Sequence, residues 1–173
     1  MRWRRRKKND SDEPEDHALG RCRGGFSTKI HILCDGQGHP LDAAITGGQV
    51  HESTMLDVLL ISADEQLMSS DGEKLPWPKA LAGDKGYRAD WIDEYLLELE
   101  IRPVIPSKEN ENRGSRPVEF DKEQYRKRNI VERLIGWLKE NRRVLSRFEK
   151  TAKNFIGMIK MAFIHRYLRL ATK

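Results

Sequence analysis

Residues 26–34, FSTKIHILC, interleave aromatic, β-branched and polar positions and run into Asp35-Gly36, a pattern that predicts a strand entering a hairpin. Its partner is expected over residues 40–46, PLDAAIT. Gly47-Gly48-Gln49 then opens a loop, and Met55, Leu56, Leu59 and Leu60 fall at helical spacing within a predicted helix over residues 51–67. Beyond the punctuation of Pro76-Trp77-Pro78, residues 79–87 predict a short apolar strand that stops at Gly83-Asp84. A helix over residues 90–100 would bury Ile92, Tyr95, Leu96 and Leu99, and residues 101–106, IRPVIP, predict another short strand, placed at an edge by its prolines. Residues 107–120 are polar and broken by Gly and Pro, hence a loop. A last helix over residues 151–170 turns Phe155, Met158, Ile159, Ala162, Phe163 and Leu170 towards the core. Strands and helices in this order make an α/β layer fold.

Residues 123–143, EQYRKRNIVERLIGWLKENRR, hold the strongest pattern. On one continuous helix at about 100° per residue, Tyr125, Arg128, Glu132 and Lys139 fall in a narrow polar ridge. Ile130, Val131, Leu134, Trp137, Leu138, Val144 and Leu145 fall broadly opposite, so that side is expected to be buried. A carboxylate framed by two cations and a phenol suits phosphate handling; i,i+4 Arg/Glu pairing on an exposed helix is the plainer alternative.

Charge sharpens this picture. The net charge of +5 hides an uneven distribution: residues 121–173 hold 15 Lys/Arg against 5 Asp/Glu, and residues 1–120 hold 17 against 22. A basic region beside an acidic one fits a protein that grips nucleic acid with one part and gathers carboxylates in another. Residues 1–19 pass from a basic to an acidic cluster with almost nothing to pack, so a flexible charged arm is expected there. Cys22 and Cys34 have no CxxC spacing and follow no secretory leader, which points to a reduced, cytoplasmic chain without a membrane span.

Two acidic positions stand out. Asp84 falls at the C-terminal end of a predicted strand, the rim where open α/β sheets bind ligands, although an Asp in GDKG also suits a turn or helix N-cap. Glu132 is the carboxylate of the polar ridge. His31, His39, His51 and Cys34 fit no closed zinc spacing; His31 is expected in a strand and His39 in a turn.

The order Tyr125-x2-Arg128-x3-Glu132-x6-Lys139 resembles the signature around the catalytic glutamate of DDE transposases from bacterial insertion sequences. Residues 20–41, GRCRGGFSTKIHILCDGQGHPL, with TGGQVHES, LAGDKGY and KTAKNFIGMIKMAF further on, are similar to blocks of the insertion-sequence-five family. The resemblance implies an RNase H-like catalytic domain over residues 20–173, with Asp84 and Glu132 as its second and third catalytic carboxylates and metal ligands. It also implies Tyr125, Arg128 and Lys139 as DNA-positioning residues, and Mg²⁺, replaceable by Mn²⁺, as cofactor. Two such ions about 4 Å apart suit phosphodiester hydrolysis and strand transfer. The implied partners are the element's terminal inverted repeats, target DNA, and a second copy or a full-length transposase, in a bacterial cytoplasm on the nucleoid.

The family's first carboxylate lies on an opening strand ahead of Gly20, and residues 1–19 offer no apolar run to form one; Asp10, Asp12 and Asp16 match by type and not by context. The chain is therefore expected to lack that first strand. It would be the downstream half of a frameshifted transposase, a relic, or a product begun at the wrong methionine. Two other functions remain open: a DNA-binding fragment that modulates a full-length transposase without cleaving, and a metal-dependent nuclease on the same fold.

Overall fold

A computed structural model describes residues 17–69, 71–111 and 116–172. Most of the expected charged arm, with Asp10, Asp12 and Asp16, lies outside the described residues. The first sheet is antiparallel, in the order β1 (Gly20–Cys22), β2 (Gly25–Cys34), β3 (Pro40–Gly47). The β2–β3 hairpin runs in register from Thr28 opposite Gly47 to Leu33 opposite Asp42, then slips before Cys34 meets Pro40. Its turn is closed by the Asp35 carboxylate, which accepts from the backbone N–H of Gln37 and of His39, both at 2.8 Å, and by Gly38 at φ +85°. Ahead of β2, a segment for which periodicity predicts no element folds back as β1, with Cys22 opposite Gly25.

The second sheet pairs β4 (Ala80–Ala82) with β5 (Arg102–Val104) in parallel, joined through α2 (Asp90–Glu98). β5 has β4 as its one sheet partner among the described residues, so Pro103 sits where the missing N–H is tolerated. Before them comes α1 (Leu56–Gln66), entered through a 3-10 turn at Glu52–Met55.

The expected continuous helix over residues 123–143 is three pieces: α3 (Lys122–Arg126), α4 (Asn129–Glu140) and α5 (Arg142–Leu145). Two local effects break it. Around Lys127 and Arg128 the backbone bonds tighten to three-residue spacing, with Arg128 N–H donating to Tyr125 O at 2.9 Å and Val131 N–H to Arg128 O at 3.0 Å. At Asn141 the side-chain amide donates to Leu138 O at 3.2 Å while the backbone turns to ψ +103°. Leu145, expected to be buried, is exposed as a result. The last helix, α6 (Ala152–Ala171), buries Phe155, Ile159, Ala162 and Phe163, whereas Leu170 at its far end is exposed.

Two apolar clusters follow from this layout. Leu138, Val144, Phe155, Ile159 and Phe163 pack with Ala43 and the half-buried Ile30, Ile32 and Ile45 of β2 and β3. Leu56, Leu60, Leu81, Ile92, Leu96, Ile101 and Ile105 form the second, around α1, α2, β4 and β5. Each such side chain contributes roughly 1.5–3 kcal/mol when taken out of water. Between the sheets lies a cleft of about 940 Å³. Residues 29–36 of β2 and its turn and residues 80–84 at the end of β4 are among those that line it.

Candidate active site

Asp84 owes its position to the end of β4. Gly83 lies under Ile105, where an added Cβ would meet a side-chain carbon at 3.2 Å, and the chain then turns sharply through a 3-10 turn at Lys85–Tyr87. Asp84 caps that turn, its carboxylate accepting from Gly86 N–H at 3.4 Å. The turn-capping role and the rim position thus coexist in one residue.

The turn is pinned from below. Tyr87 Oη and His31 Nδ1 are hydrogen-bonded at 2.8 Å, and His31 Nε2 meets Thr46 Oγ1 at 2.9 Å, tying the Asp84 turn to β2 and β3. His31 is buried, as its strand position implied, and that burial lowers the pKa of its ring. Tyr87 is pushed up to about 12, chiefly by burial and then by the charges of Glu52 and Asp84. Sequence reasoning passed over Glu52. Its carboxylate sits where a Cβ on Gly86 would meet it at 3.3 Å, and it pairs with Lys29 Nζ at 2.7 Å. Burial alone would raise its pKa, but the bond from Lys29 holds it below the usual value.

Glu132, in the first turn of α4, and Asp84 converge on Arg128. The Arg128 guanidinium donates to Glu132 Oε1 at 2.5 Å and stands 3.8 Å from Asp84 Oδ2. Its Cζ also lies 5.3 Å from the centroid of the Tyr125 ring, which leans on Phe120. Four of the five residues picked out in the sequence therefore meet. Lys139, the fifth, is two turns further along α4, about 10 Å from Glu132 along the axis. It borders a separate hollow with Phe26, Leu145 and Arg147.

Asp84 and Glu132 are each 58% exposed, and as hard oxygen donors they suit Mg²⁺ or Mn²⁺. Among the described residues no group of three or more His, Cys, Asp and Glu is arranged to hold a metal ion. The histidines are engaged elsewhere: His39 with Asp35 at 2.8 Å, and His51 with Ser53 at 2.7 Å.

A second ionic cluster lies behind the site, and it gave no signal in the sequence. Asp93 on α2 accepts two bonds from Arg116, at 2.9 and 3.0 Å, while Arg116 also donates to Ile105 O at 2.8 Å. Arg88 stands 3.5 Å from Asp93 and bonds Asp90 and Glu111. Arg88, Asp93 and Arg116 are 3%, 1% and 4% exposed, so a loop that reads as polar is anchored by a buried arginine.

A profile of the transposase DDE domain matches residues 3–165. The chain belongs to the DDE transposase family. This transposase chain is 34% identical over 141 residues to a Burkholderia cepacia protein described as a transposase for insertion sequence element IS402; the match covers 82% of this chain and 62% of that protein. A Brucella ovis protein described as a transposase for insertion sequence element IS6501 is 27% identical over 144 residues, covering 83% of this chain and all of that relative. No solved structure matches it significantly. Among the described residues of the transposase chain, no helix is long and apolar enough to cross a membrane.

Proposed function

We propose that this chain is the catalytic portion of an insertion-sequence transposase that cleaves DNA at the element's ends and transfers the freed strands to target DNA. The observation that supports this best is the convergence of Asp84 and Glu132, from separate elements, on the guanidinium of Arg128. Bound divalent metal would supply activation of the attacking oxygen and stabilisation of the leaving one. Asp84 and Glu132 contribute its oxygen ligands, and Arg128, stacked on Tyr125, receives a DNA phosphate beside them. Lys139 meets the duplex further along α4, and the exposed Arg126, Lys127, Arg133, Arg142 and Arg143 continue the basic surface.

The first carboxylate arrives, on this reading, with a further strand. An RNase H-like sheet is continuous, whereas among the described residues β2 and β4 belong to separate sheets that both border the cleft. A strand laid between them would pair with both edges and end beside Asp84, and it would come from an upstream segment of the transposase. A second copy of the chain or a full-length transposase completes the assembly on DNA.

The test is Mn²⁺-dependent cleavage of duplexes bearing the element's terminal repeats, by the chain with and without the upstream segment. Cleavage and joining that need the segment and vanish in Glu132→Gln are the expected result. DNA binding without cleavage in both cases would assign the chain the role of a modulating fragment, and cleavage without joining would make it a nuclease.

A further inference from the structure

We propose that Arg128 is the site's internal counter-ion: it competes with divalent cations for Asp84 and Glu132, and DNA releases it. This rests on the carboxylates being metal ligands, as argued above, and concerns what governs their occupancy. The guanidinium takes one oxygen of Glu132 at 2.5 Å and faces one of Asp84 at 3.8 Å, so it contacts both carboxylates that would hold the metal. An arginine does not lose its charge in water, so a dication drawn to these oxygens must either displace it or bind against its repulsion.

The surroundings give the side chain somewhere to go. Tyr125 offers a ring face 5.3 Å from Cζ, which keeps the cation stacked as it turns from the carboxylates. Arg128 also sits in the tight turn between α3 and α4, on a surface rich in exposed Arg and Lys, where a phosphate would approach. A phosphate is the better partner for a guanidinium, because two parallel N–H···O bonds are available to it. DNA would therefore draw Arg128 away and leave two unneutralised carboxylates for the metal, coupling the two binding events in both directions. Metal would be held weakly until the substrate is in place.

The experiment is Mn²⁺ binding to the full chain, followed by the paramagnetic signal of free Mn²⁺, with and without a short duplex. Arg128→Gln, which keeps a polar side chain but removes the charge, is expected to bind Mn²⁺ about tenfold tighter than the parent, a gain of ~1.4 kcal/mol. Arg128→Lys, which keeps the charge, is expected to stay within about threefold of the parent, no more than about half that gain. Added duplex should tighten Mn²⁺ binding in the parent and not in Arg128→Gln. If Arg128→Gln binds no tighter while Asp84→Asn and Glu132→Gln bind more weakly, competition by Arg128 is wrong and the metal site stands. If none of the four substitutions alters Mn²⁺ binding, the site assignment falls and takes the competition with it.

Discussion

The transposase chain builds two clusters from the same chemistry, arginine against carboxylate, and uses them oppositely. Arg88, Asp93 and Arg116 are almost fully buried, with Asp93 held bidentately and Arg116 also bonded to Ile105 O, so the charges have one arrangement. Arg128, Asp84 and Glu132 lie at the rim, with both carboxylates 58% exposed and one contact at 3.8 Å. Burial makes the first a fastener between α2 and the loop that follows β5. Exposure leaves the second free to exchange partners.

The largest expected effect breaks the buried cluster. Asp93→Ala leaves two guanidinium groups facing each other out of water and should cost ~3–5 kcal/mol in urea unfolding, enough to unfold a marginal domain. Smaller is the loss at the pin under Asp84. Tyr87→Phe removes the hydroxyl bonded to His31 and should cost ~1–2 kcal/mol. The same pin gives a pH dependence. His31 titrates below its ordinary 6.5 when folded, so the unfolded chain takes up the proton first as pH falls. Its contribution is full above about 6.5 and is lost as pH drops through the lower folded value. Asp35, Glu52 and Glu111 lose theirs in the same direction, but only from their ordinary 3.8 or 4.5 downwards. The thermal midpoint should thus fall between pH 7 and 5 in the parent and much less in His31→Gln.

At the open site the stability effect shrinks and the functional one grows. Glu132→Gln should change unfolding stability by less than ~1 kcal/mol, because a pair this exposed is screened by water, while removing the metal-dependent cleavage proposed for the chain joined by its upstream segment. Smallest for the fold is Lys139→Ala. It should leave stability unchanged, weaken DNA binding evenly across sequences and lower the salt slope by about 1.

How much of this was legible in the sequence follows from how local each cause is. The β2–β3 hairpin, the stripe of α6 and the buried face of α2 are written in periodicity and in the Asp35-Gly36 turn, and the structure has them. The breaks in the long basic helix were not legible, since the tightening at Lys127–Arg128 and the competing amide of Asn141 leave helical spacing almost untouched. Nor was the anchoring of Arg116, whose partner Asp93 comes from another element and leaves no periodic trace. Asp84 and Glu132 stood out separately by residue type and place, and the expectation that they belong together came from the family resemblance. The Arg128–Glu132 pair was legible in its i,i+4 spacing, whereas the approach of Asp84 to the same guanidinium came only with the fold. That residues of β2 and β4 line one cleft is likewise a relation no local pattern announces.

The central claim is that Asp84 and Glu132 share a divalent cation, and metal-directed backbone cleavage tests it without requiring turnover. Fe²⁺ takes the place of Mg²⁺, and peroxide with ascorbate then generates radicals that cut the chain beside the bound ion. The account predicts two cuts, one at the turn following β4 and one at the start of α4, both suppressed by excess Mg²⁺ and absent in Asp84→Asn and Glu132→Gln. Cuts elsewhere, or cuts at these places that persist in both variants, would contradict it.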